Sequence, residues 1–180
     1  MSKVLTRIII ILIVINMLFV VYFTSLNTNA FDLEFHGSEF IKYNVQGKFS
    51  EDVDEVNKGV ILYLQSKQEL SKGFFNEREE SHLKDVKTLI QNVTGFYFML
   101  VTVLILLVFG LFFLDRGGFL RNLSISLFFG GLLSVVLTIT ILAAIMLNFD
   151  SVFTIFHGIF FNEGTWLFSP TDNIINLYPI

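Results

Sequence analysis

His36, His82 and His157 are the only side chains in this 180-residue chain that ordinarily change charge near neutral pH, and cysteine is absent. Disulfides, thiolate metal sites and a cysteine nucleophile on the chain itself are thereby excluded. His82 has Glu79 three residues before it and Asp85 three residues after it. On a helix this spacing lets a carboxylate accept from one ring nitrogen and leave the other free as a base, although an acid-rich helix face is also what a solvated surface looks like. His157 poses the opposite problem. It is a polar ring among Phe153, Phe156, Phe160 and Phe161, and it needs a partner from elsewhere in the fold. His36 stands between acidic and apolar residues and reads as a solvated surface group. Two imidazoles with Glu79 or Asp85 would also suit a hydrolytic zinc ion, but no helical ligand pair such as HExxH supports this by spacing.

The elements that must position these groups belong to two phases. Hydrophobic residues make up 53% of the chain and charged residues 16%, against about one quarter in soluble domains. Mean hydropathy is +0.68. Of the 28 charged residues, 20 fall within residues 24–93. Residues 8–23, 95–114 and 125–149 are apolar runs long enough to cross a bilayer. The first run also resembles a cleaved signal peptide, with Thr28-Asn29-Ala30 behind it, but its length and the later spans favour a retained helix. Asn16 is the one strongly polar residue deep in a span, as suits a helix contact, and the lack of intramembrane acids or bases argues against a pump or ion pathway. Lys3 and Arg7 before the first span match Arg116 and Arg121 between the second and third, so both places are expected on the cytoplasmic side. The chain then divides into a first span at 1–23, an extracytoplasmic cap at 24–94, two spans at 95–149 with a cytoplasmic loop at 115–124, and an extracytoplasmic aromatic segment at 150–180 that closes on the cap. The net charge of −4, without a basic patch, excludes a nucleic-acid partner.

Within the cap, Phe31, Leu33 and Phe35 alternate with polar residues, and Tyr43-Asn44-Val45-Gln46-Gly47 continues an extended pattern, so a short strand or hairpin is expected. Ser50 is placed to cap a helix carrying Val53, Val56, Val60 and Leu64 on one stripe. Asn76, followed by Glu79, matches a capping box at the head of a helix that runs toward the second span. Beyond His157, Asn162, Glu163 and Gly164 should stop one helix, and Ser169 with Pro170 should begin another. The fold class expected is an all-α membrane bundle with a small mixed α/β extracytoplasmic cap. That cap is too small to hold a large core alone and is expected to rest on the membrane.

Two segments carry a resemblance: Phe75-Asn76-Glu77-Arg78-Glu79-Glu80-Ser81-His82-Leu83-Lys84-Asp85-Val86-Lys87, and Phe156-His157-Gly158-Ile159-Phe160-Phe161 with Gly164, Trp166 and residues 172–179. In them, and in span order over nearly its whole length, the chain resembles the bacterial family of small integral membrane proteins that includes the lipoprotein intramolecular transacylase. The resemblance implies a fourth span after Ile180. It also implies an enzyme that moves the sn-2 acyl chain of a diacylglyceryl lipoprotein to the α-amino group of its N-terminal cysteine, giving a lyso-form lipoprotein. His82 and His157 match the two catalytic histidines of that family.

Ester-to-amide transfer suits the residues. An amine must lose a proton and a glyceryl oxygen must gain one, which imidazole can manage near neutral pH without a serine or cysteine nucleophile. His82 is the favoured general base and His157 the favoured general acid or orienting donor, and the sequence leaves open which does which. Glu79 or Asp85 would orient His82, and the Trp166 indole N–H would serve an oxyanion, against the plainer role of an interfacial anchor. Of the 22 phenylalanines, Phe153, Phe156, Phe160 and Phe161 would wall in acyl chains and exclude water. The partners implied are a diacylglyceryl lipoprotein substrate and membrane lipids, and neither cofactor nor metal is called for. The competing expectation is a non-enzymatic envelope protein whose cap binds lipid or a protein partner.

Overall fold

The structure, a computed structural model, describes residues 2–161 and 164–179. Its α-helices are α1 (Ser2–Asn29), α2 (Leu33–Lys42), α3 (Val53–Leu64), α4 (Glu77–Leu114), α5 (Phe119–Leu147), α6 (Phe149–Phe160) and α7 (Asn173–Leu177), with one turn of 3-10 helix at Gln46–Lys48. The chain forms two compact units, one of Met1–Asn27 and Val93–Val152, the other of Thr28–Asn92 and Phe153–Ile180.

The first unit holds the apolar lengths of α1, α4 and α5, the three helices among the described residues that are long and apolar enough to cross a membrane. Residues Asn122, Ser126, Gly130 and Ser134 recur every four positions along α5 and are its buried face. Small residues there let helices approach closely. A Cβ on Gly130 would lie 3.0 Å from the Met17 sulfur on α1. The hydroxyls of Ser126, Ser134 and Thr138 donate to carbonyls one turn back, so they bring no unsatisfied donor into the apolar setting. Tyr22 donates to the Ser134 carbonyl at 3.1 Å. Asn16 is buried at 6% exposure, and its Oδ1 has no partner among the described residues. Between α4 and α5, the Asp115 carboxylate accepts from the Gly118 amide and the Asn122 side chain, closing the turn.

The second unit corrects the expected mixed α/β cap: it is helical, with no strand among its described residues. Residues 31–36 are too few to separate a period of two from one of 3.6, and the capping chemistry decides for the helix. Asp32 accepts from the Glu34 and Phe35 amides and so starts α2. His36 and Phe40, four apart, then form its inner side, with Phe40 at 5% exposure, while Leu33 and Phe35 remain exposed. The extended run expected at 43–47 is a turn instead. Asn44 takes a left-handed φ of 48°, which drops Val45 into the core. Asp52, not Ser50, caps α3, accepting from the Asp54 and Glu55 amides.

The capping box at α4 is present as expected. Asn76 Oδ1 accepts from the Arg78 and Glu79 amides, and Glu79 Oε2 accepts from the Asn76 amide at 2.7 Å. The helix expected from Pro170 starts only at Asn173, because Asp172 Oδ2 accepts from the Ser169 amide and Asp172 N donates to the Ser169 carbonyl, closing a turn first. The residues expected to stop α6, Asn162 and Glu163, lie outside the described residues; Gly164 has a φ of 84°. Phe40 of α2, Val53 and Val60 of α3, Leu83 of α4 and Ile174 and Leu177 of α7 share one core.

Candidate active site

α4 delivers His82 one turn beyond its capping box. The carboxylate of Glu79 is 1% exposed, and its Oε1 accepts from the Ile174 amide at 2.7 Å. With Oε2 held by Asn76, both oxygens are engaged in joining the head of α4 to α7. A second tie runs alongside: Arg78 pairs with Asp172 at 2.7 Å and Asn76 donates to the same carboxylate at 3.1 Å. The Ser169 amide, foremost, and then Arg78 hold the Asp172 carboxyl below its ordinary range. These ties fix the segment that brings the Phe168 ring to 5.3 Å from His82.

α6 delivers His157, and the two imidazoles meet with centroids 6.3 Å apart and planes inclined by 25°. His82 is 7% exposed, with Phe161 at 4.8 Å on another side. Its Nδ1 is buried and has no hydrogen-bond partner among the described residues. Burial, and then the neighbouring His157, push its pKa below the ordinary imidazole value, with Asp85 opposing through its charge. His82 is therefore neutral at pH 7. His157 Nδ1 lies 2.8 Å from the Phe153 carbonyl oxygen. A carbonyl only accepts, so Nδ1 carries the proton and a neutral His157 keeps its lone pair on Nε2. The Trp166 ring lies 4.9 Å from His157, and its Nε1 is a buried donor with no partner among the described residues.

His82, His157, Trp166, Phe153 and Phe168 line one cavity of about 430 Å³ within this unit. Its apolar wall comes from Val60, Ile61 and Leu64 of α3 and Leu83, Val86 and Ile90 of α4. Of the expected aromatic wall, Phe153 lines the cavity and Phe161 packs on His82, whereas Phe156 and Phe160 are 45% and 48% exposed. Three polar residues join this lining: His36, read from sequence as solvated, and Asn57 and Tyr178. Asn57 did leave a signal, a lone amide on the otherwise apolar face of α3. Among the described residues no group of three His, Asp or Glu is placed to hold a metal ion.

Three apolar membrane-length helices, joined in one chain to a helical unit in which a buried and a half-buried imidazole line an apolar cavity, define an integral membrane protein with a polar pair at an apolar pocket. The family model for the lipoprotein intramolecular transacylase Lit matches residues 6–180, and the chain belongs to that family. Two solved structures of the membrane integral lipoprotein intramolecular transacylase Lit from Bacillus cereus, one with a histidine replaced by arginine and one with it replaced by alanine, share the fold. Each superposes with a TM-score of 0.68 at 17% identity over 97% of this chain, covering 79% and 80% of the respective chains. An uncharacterised protein of Aquifex aeolicus (strain VF5) is 27% identical over 125 residues, 69% of this chain and 53% of that one. The chain thus spans about half the length of that relative.

Proposed function

We propose that this protein is a membrane acyltransferase that moves the sn-2 acyl chain of a diacylglyceryl lipoprotein onto the α-amino group of its N-terminal cysteine. The observation that carries this reading is the pairing of His82 and His157 in the lining of an apolar cavity. The substrate supplies its own nucleophile. The amine nitrogen bonds to the ester carbonyl carbon, the bond from that carbon to the glyceryl oxygen breaks, and one proton passes from nitrogen to the departing oxygen. The lyso-form lipoprotein is the product.

The tautomer of His157 supports one of the two assignments that the sequence leaves open, with His157 as the base. With Nδ1–H anchored on the Phe153 carbonyl, Nε2 is the proton acceptor, in the way an orienting group prepares a catalytic base. His157 takes the amine proton and passes it to the glyceryl oxygen. His82, kept neutral by burial, polarises the ester carbonyl, and the unpartnered Trp166 N–H is a second donor for the oxyanion. Holding amine and ester together supplies much of the remaining advantage, since oriented intramolecular reactions gain up to about 7–11 kcal/mol. Glu79 and Asp85 do not touch substrate in this mechanism: Glu79 positions the helix and Asp85 tunes the charge at His82.

The matching basic residues Lys3, Arg7, Arg116 and Arg121 support a cytoplasmic location for the ends they mark and an extracytoplasmic site. Mass spectrometry of N-terminal lipopeptides from cells expressing the protein tests the activity. Acyl transfer should leave a monoacylglyceryl cysteine with an amide-linked chain. Diacylglyceryl peptides that keep a free amine beside well-expressed protein would instead favour a non-enzymatic lipid-binding role.

A further inference from the structure

The cavity has a second set of polar side chains that the acyl-transfer chemistry does not use. Tyr178 donates its hydroxyl to Asn57 Oδ1 at 2.9 Å. With its carbonyl oxygen engaged, Asn57, at 1% exposure, has its NH₂ donors to offer. The Tyr178 oxygen keeps an acceptor lone pair, and burial raises the phenol pKa, so the group stays protonated. His36 Nε2 lies 3.3 Å from the Ala30 carbonyl and must donate to it, which leaves Nδ1 as an acceptor. The His36 ring packs edge-on against Tyr178 at 6.3 Å. The three side chains therefore present donors and acceptors together. No described residue lining the cavity is Lys, Arg, Asp or Glu, so a phosphate or carboxylate would find no fixed counter-charge.

We propose that His36, Asn57 and Tyr178 form a recognition site for a neutral secondary amide: the peptide bond that follows the lipid-bearing cysteine of the substrate. A secondary amide brings one donor and one acceptor and so uses both kinds of group. An ester brings acceptors only, so the one lone pair that the amide N–H would meet, on Tyr178 or His36, stays unmet against an apolar wall, where an unmet polar group costs about 1–3 kcal/mol. This rests on the transacylase reading for the identity of the substrate. It adds that selection is made on the peptide, which distinguishes a lipopeptide from a bulk diacyl lipid.

The test uses the full chain in detergent or bicelles with two synthetic diacylglyceryl lipopeptides, identical except that one replaces the peptide bond after cysteine with an ester. Conversion gives kcat/KM for each. Quenching of Trp166, the chain's one tryptophan and a cavity residue, gives affinity without turnover. Wild-type protein should favour the amide about tenfold, equivalent to ~1.4 kcal/mol, mainly in KM and binding. In Tyr178→Phe and His36→Leu the preference should fall toward unity while the pH dependence of the rate keeps its shape. Equal handling of the two lipopeptides by wild-type protein overturns the proposal, as does an undiminished preference in either folded variant. If neither lipopeptide is converted, the transacylase reading fails, and the ratio of the two binding constants still decides the amide site.

Discussion

The two units solve the problem of burying polar groups in opposite ways. In the spanning unit, Ser126, Ser134 and Thr138 return their hydrogen bonds to their own helix, α5; Tyr22 reaches across to the Ser134 carbonyl, and Asn16 Oδ1 has no partner among the described residues. Little is left there to bind or react. In the other unit, polar groups are spent across elements. Glu79 joins the neighbouring Asn76 amide to the distant Ile174 amide, Asp172 gathers Ser169, Asn76 and Arg78, and His82 Nδ1 and Trp166 Nε1 have no partners among the described residues at a cavity. What separates the two is that the open donors and acceptors of the second unit line a cavity.

Removing the open groups should have the largest effect. His157→Ala should lower conversion by about 10²–10⁴-fold, the usual worth of a positioned acid or base, and His82→Ala by about 10²–10³-fold through the lost carbonyl donor. Both variants should remain in the membrane at normal levels. Full conversion by either variant would remove that residue from the mechanism.

Glu79 tests the long-range ties. Glu79→Leu strands the Asn76 and Ile174 amides and should cost about 2–5 kcal/mol, seen as an early thermal transition in the Trp166 signal; Glu79→Gln keeps one acceptor and should cost roughly half. Equal melting of both variants and wild type would show that the carboxylate does not hold α4 to α7. Gly130→Val is the matching probe of the scaffold. Its added methyls collide with Met17, and overpacking typically costs about 1–3 kcal/mol. An unchanged melting temperature in detergent would refute close packing at that point.

The smallest effect is on pH dependence. His82 binds a proton less readily folded than unfolded, so its contribution to folding is fully present above the unfolded imidazole pKa of about 6.5. It is lost as pH falls through the lower folded value. His82→Gln should flatten this acid-side decline in melting temperature, and an identical decline in the variant would assign it to other groups.

Some of this was legible in the chain because its determinants are local. The apolar runs, the Asn76 to Glu79 capping box and the helical spacing around His157 each depend on residues within one or two turns. The alternation at 31–35 was equally local but too short, and the Asp32 cap with the His36 and Phe40 spacing outweighed it. Residue type also marked His82 and His157 as the groups able to exchange protons. It could not mark His36 or Tyr178 as cavity residues, since their neighbours there are remote in the chain, Asn57 to Tyr178 being 121 residues apart.

By itself, then, the sequence determined the division into an apolar and a charged phase, the membrane-length helices, and the choice of imidazole as the only acid–base chemistry near neutral pH, because composition and short-range periodicity suffice for those. It takes the folded packing to make Glu79 a tie between helices, to put the His157 proton on Nδ1, to bury His82 so that its pKa falls, and to gather two sets of polar groups into one cavity. Each of these depends on which distant atoms come within hydrogen-bond or ring-contact range, and that is a property of the folded packing.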